Sequence, residues 1–459
     1  MQRVLRYGGG SRGAQKLIAA CTVLTVLACD RRGIERPRAE ITAEFTEGVL
    51  RLSQAPSLIA GSAGGAQLRE TLRLRASELG WTAATDVSPF PDGHLAVLDR
   101  TQQSVWLVDG NGRVMDRIGR PGQGPGEFSA PYAIETLGDS ALLVVQARRA
   151  ATFSLFGPSG HLIRTAPAPV EGDWESISYR RPNYPWRDRP EDWSLRLATL
   201  GPDRFIVQTQ SPERMDVATM EPHRPSRVAI VMNIALDLVD TLAAGRGALV
   251  RRGEPLSASF SVPIVEPLFG ARLLVAAGSG WVAWADGAEP RVTVIRSTGD
   301  TVLIEWTPLH ARTTEADRVQ AARWAGEYTL RASASARDNA SQMSARDREA
   351  QYRRLAQILP FTDTLPELTA LFGAGSCLWL AGFSLEGNAF GVAATMIVVD
   401  VREGALLGTA RVPGRGARVR AASTEAIYAA LPDEDGLEDI LAYGIPFECA
   451  TVRVGSSKQ

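Results

Sequence analysis

The stretch GRPGQGPGEFSAPYAI, residues 119–134, decides how the rest of the chain is read. Four glycines fall in its first eight residues, followed by Glu127, Phe128 and Pro131. Backbone N–H groups in such a run could cradle a phosphate. That reading needs a Lys-Ser or Lys-Thr pair after the glycines and a helix behind them. Neither is present. The other reading is a crossover, in which the chain leaves the outer edge of one small sheet and returns to the inner edge of the next. Glycine permits the close approach and unusual φ of such a path, and Phe128 is placed to fill the space between the two sheets.

The flanking sequence supports the crossover. Before it, HLAVLD (residues 94–99) leads into SVWLVDGNGRVMDRIG (104–119), a hairpin with alternating apolar residues and a turn at 109–112. The theme returns as ALLVVQ then ATFSLFGPSGHLIRT, RFIVQTQ then RVAIVMNIALDLVDTLA, and WVAWADG then RVTVIRSTGDTVLIEW. It returns again as CLWLAGF then TMIVVDVREGALLGTARV, and AIYAALP then EDILAYGI. Six units of several short strands predict a propeller rather than a solenoid with capped ends. The last unit offers only three strands, near 418–422, 426–431 and 438–443. A spare candidate, GVLRLSQAPSLIAG (48–61), is expected to complete it and remove the open edge. The fold predicted is all-β: a six-bladed β-propeller of four-stranded antiparallel blades, closed by an N-terminal strand. A small helical insertion is expected at 313–359, between blades four and five. There Thr314 to Asp317 reads as a capping box. A second helix is expected over 344–359, with Tyr352, Leu355, Ile358 and Leu359 on one side, and Pro360 to stop it.

The segment DGHLAVLDRTQQSVWLVDGNGRVMDRIGRPGQGPGEFSAPYAI resembles an NHL repeat, and more closely the six-bladed propeller lipoproteins of environmental bacteria. The resemblance is good over residues 81–165, fair over 363–445 and weak between. It implies a propeller but no single job, because NHL-type propellers include protein, peptide and RNA binders as well as lyases and hydrolases.

The N-terminus gives an address. Arg3, Arg6, Arg12 and Lys16 precede LIAACTVLTVLA (17–28), an apolar run too short to span a bilayer comfortably but suited to a signal peptide. It ends in Val26-Leu27-Ala28-Cys29, which resembles a lipobox, so Cys29 is the expected lipidation site. Cys21 offers a poorer second lipobox; a plain secretory signal and a retained anchor are the other readings. The organisation expected is a lipoprotein signal peptide at 1–28, a flexible tether at 29–45, the propeller at 46–449 and a tail at 450–459. The protein is thus expected in the bacterial cell envelope, held to the bilayer through the acylated cysteine on the periplasmic or outer-membrane side. Cleavage before Cys29 removes four positive charges and no acids from a net charge of −1, leaving −5. Dispersed arginine at that balance builds no basic patch, which argues against nucleic acid as a partner. Cys377 and Cys449 then remain besides Cys29. Export permits a disulfide between them, but spacing alone cannot bring them together.

Residues 171–193, EGDWESISYRRPNYPWRDRPEDW, interrupt the repeat. Trp174, Tyr179, Tyr184, Trp186 and Trp193 stand there among acids and arginines. They form either a buried loop on blade three or a contact surface for a protein, peptide or carbohydrate ligand. Catalytic patterns are lacking. The four histidines, His94, His161, His223 and His310, fit no HExxH or HxH spacing, and there is no GxSxG elbow. No metal ligands and no cofactor are predicted, apart from a channel-bound Ca²⁺ held by acids from different blades, as in the calcium-dependent lactonases. The function expected is a non-enzymatic binding or scaffold module. The alternative is a metal-dependent, lactonase-like hydrolase or lyase acting in the central channel.

Overall fold

A computed structural model describes residues 42–53, 66–139, 141–147, 151–167, 196–200, 203–210, 222, 224, 226–246, 251–252, 255–257, 260–261, 264–265, 268–309, 311–332, 343–383, 392–413, 417–433 and 437–449. The repeated units are blades. From the inside out, blade one runs through Ala84–Pro89, Leu95–Asp99, Ser104–Val108 and Val114–Ile118. Blade two runs through Pro131–Leu137, Ala141–Ala147, Ala151–Phe156 and Leu162–Pro167. Blade three comprises Arg196–Thr199, Arg204–Gln210, Ser226–Asn233 and Leu238–Arg246. Blade four comprises Leu273–Gly278, Trp281–Asp286, Arg291–Arg296 and Thr301–Trp306. Blade five holds Ala370–Ala374, Cys377–Phe383, Val392–Asp400 and Ala405–Arg411. Arg418–Ala422, Ala426–Pro432 and Glu438–Gly444 make the first three strands of blade six. Each blade is antiparallel throughout.

Six seams close the ring, and each has its own apolar cluster. Strand periodicity dictates this, since neighbouring side chains point to opposite faces. In blade one, Leu95 and Val97 face blade six, beside Tyr428 and Ile440. Ala96 and Leu98 face blade two, beside Leu142 and Val144. Leu143 and Val145 then meet Phe205 and Val207 of blade three, while Ile206 turns toward Ala277 and Val282 of blade four. Further clusters join blade four to blade five and blade five to blade six. Both faces of each blade are covered, which is why the second strands read as continuous apolar runs rather than as alternation.

The glycine-rich stretch is the crossover between blades one and two. Phe128 is fully buried in the seam cluster, with its ring edge-on to Phe156 at 5.7 Å between centroids. Gly119 lies at φ +77°, and a Cβ there would overlap the Phe128 ring. The loop supplies its own anion: Glu127 Oε2 accepts the N–H groups of Gln123 (3.0 Å) and Gly124 (2.9 Å). Arg120 donates to Glu127 Oε1 at 2.9 Å. These bonds hold the Glu127 carboxyl below the usual carboxylate range. A side-chain carboxylate therefore occupies the place that a phosphate would take.

The closing strand is not the one expected. Arg69–Leu74 completes blade six, antiparallel to Glu438–Gly444, with Leu74 opposite Ile440. Within the 48–61 candidate, Val49–Leu52 pairs parallel with Thr301–Trp306 at the rim of blade four. Ala43–Thr46 folds back on Val49–Leu52 as a hairpin. Leu50 and Leu52 explain the placement: both are buried in the cluster between blades four and five. Ala66–Gln67 then pairs parallel with the rim of blade five. The described parts of the N-terminal segment thus lie in turn on the rims of blades four, five and six.

Cys377 of blade five is bonded to Cys449, which follows blade six, with their Cα atoms 5.2 Å apart. Both cysteines are buried. The insertion between blades four and five is helical, at Glu315–Ala332 and Ala345–Ile358. Thr314 Oγ1 accepts the Asp317 N–H while Asp317 Oδ2 accepts the Thr314 N–H, so the capping box is reciprocal. At the second helix Ser344 Oγ accepts the Asp347 N–H and donates to Asp347 Oδ2, and Arg323 and Glu349 link the two helices at 2.7 Å. The buried stripe of the second helix is Tyr352, Ala356 and Leu359. Ile358 is exposed, contrary to expectation. At about 100° per residue it lies roughly 120° round the helix from Tyr352. Two short two-stranded ladders, Arg251–Arg252 with Ile264–Val265 and Pro255–Ser257 with Phe260–Ser261, stand between blades three and four without having been anticipated.

Candidate functional site

The innermost strands of a propeller surround its axis, and there residues from distant parts of the sequence meet. Blade two's inner strand, PYAIETL, is buried at every position but one. The exception is Glu135. It stands midway along the inner strand, and its carboxyl reaches across to blade three. The corresponding strand of blade one is half-exposed at Thr85 and Asp86. Blades four and five contribute LLVAAG and ALFGA, which carry no charge. Blade six contributes Arg418, which is buried, and Arg420. Along the sequence the inner strands are therefore unevenly charged, with acids on blades one and two, none on four and five, and arginines on three and six.

The two acids do different work. Asp86 Oδ2 accepts the Ile134 N–H at 2.9 Å and so ties blade one to blade two. Ser88 and Thr136 reinforce the same seam, Ser88 Oγ accepting the Thr136 N–H and Thr136 Oγ1 donating to the Pro89 carbonyl. Glu135 reaches the other way. Its Oε1 accepts the Thr199 N–H at 2.8 Å and lies 2.6 Å from Thr199 Oγ1, on blade three. Burial pushes the Glu135 carboxyl up to about 7, and the charge of Asp86 acts in the same direction, against the Thr199 hydrogen bonds. A carboxyl poised there can exchange a proton near neutral pH. On blade six, Arg418 is paired with Glu438 within the blade.

Cys29 and the aromatic residues Trp174, Tyr179, Tyr184, Trp186 and Trp193 fall outside the described residues, as do His223 and His310. His94 and His161 sit in turns. His94 Nδ1 is 3.0 Å from Asp92 Oδ2, and His161 Nδ1 is 3.0 Å from Ser159 Oγ. Asp433 Oδ1 accepts the Leu437 N–H at 2.8 Å, as a turn residue does. Asp86, Glu135 and Thr199 went unread because they come from three separate units. The available signal was a glutamate inside the otherwise apolar run YAIETL.

Among the described residues, no group of three or more His, Cys, Asp or Glu side chains converges as a metal cage. Asp86 and Glu135, one of them poised to hold a proton, are by themselves a poor donor set for Ca²⁺, which takes six to eight oxygens and favours ionised carboxylates.

No protein-family model and no curated protein matches the sequence. Among solved structures, the chain is similar to a Bacteroides fragilis protein designated as exported, at 9% identity and TM-score 0.47, covering 87% of this chain and 100% of that one. A member of the DUF4221 family from Bacteroides vulgatus follows at 8% identity and TM-score 0.45, covering 82% of this chain and 97% of that one. Virginiamycin B lyase from Staphylococcus aureus is similar at 9% identity and TM-score 0.34, covering 78% and 79%. Likenesses this remote carry no argument about activity or ligand.

Proposed function

We propose that the protein is an exported, lipid-anchored propeller of the bacterial cell envelope, of NHL-like type, working as a non-enzymatic binding or scaffold module. The observation that carries this reading is the uneven dressing of the rim. The N-terminal segment covers the outer edges of blades four and five and supplies the outer strand of blade six. Val114–Ile118, Leu162–Pro167 and Leu238–Arg246 end their sheets on blades one to three, with no described strand beyond them. These strands expose Val114, Met115, Ile163, Leu238 and Val239. Uncovered edges with apolar side chains are surfaces that proteins either protect or use. The aromatic segment at 171–193 joins blade two to blade three, within this same arc of the sequence. The Cys377–Cys449 bond supports export, since such bonds persist in oxidising compartments. The channel enzyme remains the rival because Asp86 and Glu135 do converge from different blades, and a stoichiometric ion in the purified protein would favour it.

Two experiments test the proposal. Cys29→Ala is expected to move the protein from the membrane fraction to the soluble fraction and to abolish lipid labelling; unchanged fractionation and labelling would remove the anchor. Replacing Trp186 and Trp193 together by alanine is expected to lower recovery of crosslinked partners several-fold, with thermal unfolding unchanged. Undiminished recovery would place the contact surface elsewhere.

A further inference from the structure

Thr199 Oγ1 has one proton and two close oxygen neighbours, Glu135 Oε1 at 2.6 Å and the Thr136 carbonyl oxygen at 2.5 Å. A carbonyl cannot donate. One proton shared between the two oxygens makes two weak bonds; both contacts are full hydrogen bonds when Thr199 donates to the Thr136 carbonyl and Glu135 donates to Thr199, which requires a protonated Glu135. The Thr199 N–H still donates to Glu135 Oε1. We propose that Glu135 is a proton-operated clasp between blades two and three, closed when protonated and loosened when ionised.

The proton inventory defines the two states. In the closed state, Thr199 is held by three hydrogen bonds, two to the Glu135 carboxyl and one to the Thr136 carbonyl. On ionisation the carboxyl loses its donor. The Thr199 hydroxyl must then choose between the carboxylate and the Thr136 carbonyl, and one bond is lost. The new negative charge also faces Asp86, the charged neighbour from blade one. Blade two's second strand, ALLVVQA, brings no charge to the seam, and Leu143 is the residue opposite Glu135. The inner strand of blade three carries Arg196 at its far end from Thr199. Arg418 on blade six is committed to Glu438. What Glu135 grips is the four-residue inner strand of blade three, Arg196–Thr199. Burial, with the charge of Asp86, raises the proton affinity of Glu135 and so favours the same protonated state. Its sign follows from linkage: the folded state holds the proton more tightly than the unfolded chain, so the clasp contributes most below the ordinary carboxylate range. It weakens as pH rises toward 7 and stays weak above it.

Hydrogen exchange on the mature full-length chain tests the clasp at the Thr199 amide, after correction for the intrinsic pH dependence of exchange. Protection is expected to fall about tenfold or more between roughly pH 5 and pH 8.5. Glu135→Gln mimics the protonated carboxyl, with one acceptor and one donor, and is expected to stay protected across the range. Constant protection in the natural protein, or an equal fall in the glutamine variant, would overturn the proposal. Should the variant not fold, the side-chain carboxyl resonance of Glu135 in the natural protein decides. A midpoint near 7 supports the clasp, and one near the ordinary glutamate value of about 4.3 overturns it.

Discussion

A chain that begins at Ala76 is expected not to close its ring, whereas one that begins at Ala66 is expected to fold with reduced stability. The first lacks Arg69–Leu74, the fourth strand of blade six. That loss leaves the edge of Glu438–Gly444 unpaired and removes Leu74 from its buried place beside Trp81, Tyr428 and Ile440. It also removes the hydrogen bond from Thr71 Oγ1 to the Ala442 carbonyl and the Arg73–Asp439 ion pair at the junction of the chain ends. Losing a buried leucine costs about 2–5 kcal/mol, and each lost ladder hydrogen bond about 1 kcal/mol. The sum is comparable with the whole stability of a typical domain, about 5–15 kcal/mol. The chain from Ala66 keeps that strand and loses the hairpin on the rim of blade four. Its principal loss is the burial of Leu50 and Leu52, about 1.5–3 kcal/mol each. Size-exclusion chromatography and thermal unfolding check the contrast. Equal folding of both chains would mean that Arg69–Leu74 is not the closure.

That contrast also marks the boundary of what the sequence reveals. Blade number, strand pairs, turns and the helical insertion were legible because each is written locally, in alternation, turn residues and caps. The closing strand was not. Arg69–Leu74 reads RETLRL and buries only Leu74 fully, because an outermost strand has little core to face. Val49–Leu52 is the more apolar segment, yet its leucines serve the seam between blades four and five. Hydropathy could show that a spare strand existed, but not which edge it would complete. The Cys377–Cys449 bond spans 72 residues and is decided by ring geometry. Asp86, Glu135 and Thr199 share no motif at all; they become neighbours only once six inner strands surround an axis.

The glycine-rich crossover gives the second large effect, as a coupling between two residues. Gly119→Ala is expected to cost about 2–5 kcal/mol, because its Cβ would enter the Phe128 ring and its φ of +77° disfavours any side chain. Phe128→Ala is expected to cost about 3–5 kcal/mol, since the ring is fully buried between Ile118, Ile134 and Phe156. The two losses should not add. Once the ring is removed, the new methyl group at position 119 enters vacated space, and only the backbone penalty of about 1–2 kcal/mol is left. The double variant is therefore expected to be more stable than the summed single losses by about 1–3 kcal/mol, as measured by urea unfolding. A phosphate-binding loop would behave differently, with both residues answering to an added anion and neither to the other. Strict additivity would show that Phe128 does not lie over Gly119, and the crossover between blades one and two would have to be traced another way.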